Sequence, residues 1–410
     1  MPRKIIALLV AVVCLAGGGL SAQAATPQTD AAQQAIDYIR TLQNADGGFP
    51  AFGSESNAGT TIDAVLAFVS AGIHSNSVKN SGNSALDYLE AQATSYTTTA
   101  DHAAKLVIGL VAAGEDPRDF AGEDWVAKMQ SYYDGATHRY GQQTFEQMLY
   151  ILARKSLGLS AGSGAVTYLE SKELAQGCWE YADGWGCDTN STAVAVQALV
   201  AAGVDSDDAS IEAALDYLKS AQNADGGFPY LIPSDSDAQS TAWVLQALLA
   251  AGEDIDGGGP WEKAGGHTPM QALLSYQNAA TGAFTYAGED NAYATYQVVP
   301  ALLSQPLLLP PSEEEATKTP RPTDTPAATA TATVEATPTA APAATVAPPA
   351  TPLSQVLSVS TGPAAVPRVL ALAGDGGSAS GVSPAVSLLL VAGGCLAAGL
   401  LVRRLRGHQG

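Results

Sequence analysis

Between Ala32 and Pro306 the apolar and polar positions of this chain follow one pattern six times over. The clearest copies read AIDYIRTLQNADGGFP (Ala35 to Pro50) and ALDYLKSAQNADGGFP (Ala214 to Pro229). A polar stretch follows each, then an apolar run ending in a small residue and Gly, as at Ser70-Ala71-Gly72, Ala112-Ala113-Gly114, Ala201-Ala202-Gly203 and Ala250-Ala251-Gly252. In the copy from Ala213 to Gly252, Ala214, Leu215, Leu218 and Ala221 recur at helical spacing, which gives a half-exposed helix one apolar stripe. Asp225-Gly226-Gly227 ends that helix, because Gly tolerates the left-handed backbone of a helix terminus. Pro229 keeps it from resuming. From Thr241 to Ala251 the run is apolar nearly all round, the mark of a helix enclosed on every side. Each repeat therefore supplies an outer helix and an inner one.

The inner helices are expected to begin near Thr61, Ala103, Thr144, Thr192, Thr241 and Thr295, the third about one turn longer and the sixth broken by Pro300. Their spacing of roughly forty to fifty residues exceeds the 34 of a tetratricopeptide array. Six hairpins predict an all-α fold, an α6/α6 toroid over residues 25–305, with an open solenoid as the alternative. No polar capping repeat stands at either end, which favours closure.

The flanks are of another kind. Residues 1–24 join Arg3 and Lys4 to an apolar run and Ala22-Gln23-Ala24, the pattern of a secretory signal peptide. Residues 306–381, rich in Thr, Pro and Ala, cannot bury enough apolar surface to fold and are expected to form a disordered tether. Its extended reach is on the order of 200 Å. Residues 382–402 are apolar and uncharged, long enough for a transmembrane helix, with a buried core helix as the alternative. Arg403, Arg404 and Arg406 open the short tail 403–410 and predict that it is cytoplasmic. A single-pass cell-membrane protein with an extracellular toroid is the resulting expectation.

Asp and Glu total 40 against 19 Lys and Arg. So acidic a surface repels phosphate backbones, which argues against nucleic acid as a partner. Outside the leader and the apolar C-terminal run only Cys178 and Cys187 remain. In an oxidising compartment they are expected to pair, closing a ten-residue loop worth about 2–3 kcal/mol. A zinc site using both thiols is the alternative.

The QNADGGFP turns, with Gln43 and Gln222 ahead of Gly and an aromatic, resemble the repeats of squalene cyclases and protein prenyltransferase β subunits. The layout is also similar to the α-domain of cobalamin carriers of the transcobalamin and intrinsic factor kind and their bacterial surface relatives. The first resemblance implies an acid motif, D-x-D-D-T-A, at the start of an inner helix. The matching stretches read Asp237-Ala238-Gln239-Ser240-Thr241-Ala242 and Asp188-Thr189-Asn190-Ser191-Thr192-Ala193, so an amide, Gln239 or Asn190, stands where the proton donor is implied. The Asp, Cys and His set that prenyltransferases place around zinc has no counterpart either. No resident cofactor is expected, and a corrinoid is the ligand that the carrier resemblance implies.

Asn57, Asp188, Asp237 and Asn291 each stand four residues before an aligned Thr, where helix capping is the simplest role. Two residues before it stand Gly59, Asp101, Gln142, Asn190, Gln239 and Tyr293. If the inner helices run parallel, their N-termini open at one mouth of the ring, presenting N–H donors and partial positive charge. Gln197 and Gln246 interrupt otherwise apolar inner helices and are candidates for inward polar contacts. Trp179, Tyr181, Trp185, Phe228, Tyr230 and Trp243 are concentrated in the fourth and fifth copies. Of these, the loop Cys178–Cys187, with Trp179, Tyr181 and Trp185, reads as a preformed recognition surface.

These residues predict a non-catalytic, membrane-tethered module at the cell surface that holds a small molecule or a surface protein. The candidate contacts are Trp179, Tyr181, Trp185, Asp188, Asn190, Gln197, Tyr230, Asp237, Gln239, Gln246, Asn291 and Tyr293. The alternative is an exported enzyme on the same toroid, cyclase-like or carbohydrate-active, using Glu180, Asp183 and Asp188. An adhesive surface protein is the third reading.

Overall fold

The computed structural model describes residues 26–255 and 257–307. The leader, the tether beyond 307, the segment 382–402, the tail, Cys14 and Cys395 lie outside the described residues. Within them, no helix is long and apolar enough to cross a membrane.

The described residues hold twelve α-helices in six hairpins. The outer helices are α1 (Pro27–Thr41), α3 (Ala85–Tyr96), α5 (Trp125–Gln130), α7 (Ser163–Glu170), α9 (Ala209–Ala221) and α11 (Pro269–Ser275). The inner ones are α2 (Ala58–Ser70), α4 (Ala100–Ala112), α6 (Thr144–Ser156), α8 (Thr189–Ala202), α10 (Ala238–Ala251) and α12 (Ala292–Leu302). Each inner helix packs on the next, and α12 packs on α2. The ring is closed, as expected, and the open solenoid is excluded. Inner helices are buried almost throughout, whereas outer helices such as α9 bury one stripe (Ile211, Ala214, Leu218, Ala221). Pro300 does not break α12, which runs two residues beyond it.

The repeated turn explains how neighbouring hairpins are joined. Gln43 Nε2 donates to Gly47 O at 3.0 Å within its own turn and to Val78 O at 3.2 Å in the next repeat. Gln222 Nε2 does the same with Gly226 O and Trp261 O, at 2.9 and 2.8 Å. Gln277 Nε2 donates to Gly282 O and, across the seam of the ring, to Ala31 O at 2.8 Å. One amide thus closes a turn and clamps the following repeat, the last onto the first. The first Gly of such a turn has no room for a side chain: at Gly226 (φ +86°) a Cβ would fall 2.7 Å from His267 O and Thr268 O. Gly252 (φ +78°) faces open space. Gly226→Ala is therefore expected to destabilise by clearly more than Gly252→Ala, whose left-handed backbone alone costs about 1–2 kcal/mol. Denaturant titration of the two variants measures the difference.

The third repeat corrects the sequence register. In four repeats a loop aromatic donates its N–H to the aligned hydroxyl: Phe49 to Thr61, Trp179 to Thr192, Phe228 to Thr241 and Phe284 to Thr295, at 2.9–3.1 Å. In the third, Tyr140 N donates to Gln147 Oε1 at 2.6 Å. The equivalent of those threonines is Gln147, not Thr144, and α6 is no longer than α2 or α4 at 13 residues. Thr144 follows the capping residue Gln143 directly. Phe145, not Gln142, is accordingly the third member of the set two residues before the aligned position.

Candidate active site

The long loops that enter the inner helices all lie at the helix N-termini, so one mouth of the ring carries the caps. Asp188 Oδ1 accepts from Ser191 N at 2.6 Å, Asp237 Oδ1 from Ser240 N at 2.8 Å, and Asn291 Oδ1 from Ala294 N at 2.8 Å. These three candidates cap helices. Counted from the aligned residue, the positions two before, two after and five after share one helix face. Contacts between helices show that this face points into the ring. Lys105 Nζ on α4 lies 2.8 Å from Asp63 Oδ1 on α2. Trp243 Nε1 on α10 donates to Gln297 Oε1 on α12 at 3.0 Å. The Phe145 ring on α6 reaches the Trp243 ring at 6.2 Å, across the interior past α8.

The uppermost tier of this face is Gly59, Asp101, Phe145, Asn190, Gln239 and Tyr293. Asp101 therefore occupies on α4 the position that Gln239 holds on α10 and Asn190 on α8. An inward carboxylate exists at the implied donor position, on a different helix from those the motif resemblance examined. His102 Nδ1 lies 2.8 Å from Tyr96 O, so that nitrogen carries the proton. Its Nε2 faces Asp101 Oδ2 at 3.9 Å, and its ring stacks on Tyr96 at 4.2 Å. Glu146 is buried beside Asp101. Burial lifts its carboxyl above the usual range, and the Asp101 charge adds to that, against bonds from the Gln142 and Gln143 N–H groups. The Tyr181 hydroxyl sits among Asp101, Glu146 and Asp188; burial and then these charges push it up. The Tyr181 ring stacks on Phe145 at 5.3 Å and meets Trp185 at 5.4 Å. Tyr293 packs against Phe52 at 5.9 Å.

Several candidates lie elsewhere. Trp179 is fully buried, its Nε1 donating to Leu169 O at 2.8 Å, so it packs the hairpin and faces no ligand. Phe228 likewise is buried in its turn. Tyr230 joins the loops of two repeats, its carbonyl accepting from Thr189 N at 3.1 Å. Glu180 Oε2 accepts from Gly186 N at 2.8 Å and holds the stapled loop. Asp183 pairs outward with Lys172 at 2.9 Å. A disulfide joins Cys178 to Cys187, Cα atoms 5.7 Å apart, which leaves no thiols for zinc. Gln197 and Gln246 do point inward, at the opposite end of the ring, yet their partners belong to this chain. Gln197 Oε1 accepts from Leu307 N at 2.8 Å, and Gln246 Nε2 donates to Gln305 O at 3.4 Å. Gln305 Nε2 donates to Ser70 O at 3.2 Å, so residues 305–307 lie as a strap over the far mouth.

Asp188 has a measurable signature. Burial raises its carboxyl from 3.8 to about 6, against bonds from Ser191, Tyr181 and Asn190. The folded state then holds a proton that the unfolded chain releases, so stability falls as pH rises from near 4 through about 6. Asn caps a helix as well as Asp does. Asp188→Asn is expected to be at least as stable as the parent at pH 7.5, by up to about 3 kcal/mol, with the gap closing towards pH 4. Thermal melts of both proteins across that range check the sign.

Residues 126–258 match the model of the squalene-hopene cyclase C-terminal domain, and residues 5–100 that of the prenyltransferase alpha-alpha toroid domain. No curated protein matches the chain. Among solved structures it is similar to the type II terpene cyclase MstE from Scytonema, with a TM-score of 0.51 and 16% identity over 68% of this chain and 97% of that one. A variant of that enzyme, in complex with its substrate geranylgeranyl dihydroxybenzoate, matches with a TM-score of 0.50 and 14% identity over the same shares. At such identities the structures show the fold. The cobalamin-carrier resemblance gains no support from them. The expectation of a non-catalytic chain is overturned: the match to the squalene-hopene cyclase model points to an enzyme rather than a non-enzyme. Family models and solved structures together support the terpenoid cyclase and prenyltransferase alpha-alpha toroid superfamily as the one to which this chain is related.

Proposed function

We propose that this chain is a cyclase-like enzyme that protonates and closes a polyprenyl chain inside the toroid, with Asp101 as the acid. The observation that carries the reading is one carboxyl, Asp101, on the inward face of α4, with the rings of Tyr96 and Tyr181 close by and that of Phe145 at the same level. In this scheme the Asp101 proton adds to a terminal C=C bond, whose π pair forms the new C–H bond and leaves a tertiary cation. The next double bond attacks that cation and closes a ring. A proton lost from carbon ends the sequence, so the product is an isomer of the substrate. Aromatic faces stabilise a passing cation by roughly 1–2 kcal/mol each when water is excluded. The proton lost from carbon would pass through solvent to His102 Nε2, which carries none of its own while Nδ1–H is committed to the Tyr96 carbonyl, and from there to the Asp101 carboxylate at 3.9 Å.

Of the acids expected from sequence, Glu180 and Asp183 are tied up in loop contacts and Asp188 caps α8, so the reading moves the acid to α4. An extracellular address, with the toroid tethered to the membrane as the leader and segment 382–402 lead one to expect, goes with this proposal. The test is to incubate the protein with geranylgeranyl phenols and free polyprenols and analyse products by gas chromatography and mass spectrometry. Cyclised isomers are expected; unchanged substrate throughout the panel would sink the reading.

A further inference from the structure

The rim of the mouth is uneven around the ring. Three large apolar side chains of the described residues are strongly exposed: Phe52 (55%), Ile232 (48%) and Tyr286 (43%). They stand in the loops that enter α2, α10 and α12, which pack consecutively in the ring. In each loop an exposed acid follows three residues later: Glu55, Asp235 and Glu289. The loops 49–57, 228–237 and 284–291 contain no Lys or Arg, and the neighbouring loop 179–188 contains none either. Four successive loops thus form one arc of apolar tips backed by negative charge, on a chain with a formal net charge of −21. The loop 133–143 on the other side, by contrast, carries His138 and Arg139.

We infer that this arc is a docking surface for a basic polypeptide segment that carries apolar side chains. Apolar tips give such a segment anchors to bury, and the acids behind them pair with its Lys or Arg. Repetition of the apolar-x-x-acid spacing in three loops favours an extended or helical segment running along the rim. An anionic lipid surface is disfavoured, because the acids would face its charge at contact distance. This inference goes beyond the cyclase reading and does not depend on it.

Binding of the full-length protein to a Leu/Lys amphipathic peptide, measured calorimetrically, tests the surface. A Ser/Lys peptide of equal charge is the first control, and vesicles of phosphatidylcholine with or without phosphatidylglycerol are the second. Two variants are compared, Phe52→Ser/Ile232→Ser/Tyr286→Ser and Glu55→Gln/Asp235→Asn/Glu289→Gln, all at exposed positions. Expected is binding of the Leu/Lys peptide that each variant weakens about tenfold or more, with the Ser/Lys peptide weaker by a similar factor. Equal binding of both peptides, untouched by the apolar variant, would reduce the effect to net charge and overturn the inference. So would the absence of peptide binding, or vesicle binding that only the apolar variant abolishes.

Discussion

Asp101→Asn is expected to lower cyclisation about 10²- to 10⁴-fold while leaving the fold intact. The amide keeps the size and polarity of the carboxyl at a partly exposed position on the mouth, but it cannot give a proton to an alkene. Neighbouring Glu146 stands one position off the inward tier, its Oε2 held at the cap of α6 by the Gln142 and Gln143 N–H groups. The same measurement on Asp188→Asn should show turnover within a few-fold of the parent, since that residue caps α8 outside the upper tier. Loss of activity in both variants, or in neither, would remove Asp101 from its assigned role.

Lys105→Met is expected to cost about 3–5 kcal/mol, among the largest stability effects in the ring. Asp63 and Lys105 are only 8% and 6% exposed in their side chains and meet at 2.8 and 2.9 Å. Burial already pushes the Asp63 carboxyl above its usual range, and Lys105 opposes that push. Without the ammonium the carboxyl rises further and takes up a proton in the folded state. The variant should therefore be worst at alkaline pH and recover partly as pH falls, opposite to a protein losing surface ion pairs in acid. Replacing both partners, Asp63→Leu with Lys105→Met, should restore much of the loss, because no charge is then left buried. Denaturant melts of the single and double variants at pH 5 and pH 9 separate these outcomes.

Much of this molecule was legible in the repeat. Six copies of one hairpin, turns built on Gln43 and Gln222, Gly-terminated inner helices and the Cys178–Cys187 staple all follow from residues whose local physics is strong. Residue identity misleads where geometry decides. Thr144 matches the aligned threonines in identity, yet Gln147 receives the loop N–H bond, and the shift hides Phe145. The apolar context of Gln197 and Gln246 points them inward, but nothing local tells that residues 305–307 return to meet them. The aromatic loop promised a recognition surface, whereas Trp179 is consumed by the hairpin and only Tyr181 and Trp185 reach the mouth. Asp101 belongs to the set two residues before the aligned position. Its significance depends on this face pointing inward, which the contacts of Phe145 with Trp243, Lys105 with Asp63 and Trp243 with Gln297 support.

The most direct measurement is the reaction run in deuterium oxide with a geranylgeranyl phenol as substrate and product isotopes read by mass spectrometry. Asp101 exchanges its proton with solvent, so the account predicts a cyclised isomer carrying a single deuterium on the carbon that took the proton, next to the carbon at which the ring closes. A cyclised product without deuterium, or no cyclised product at all, would contradict it.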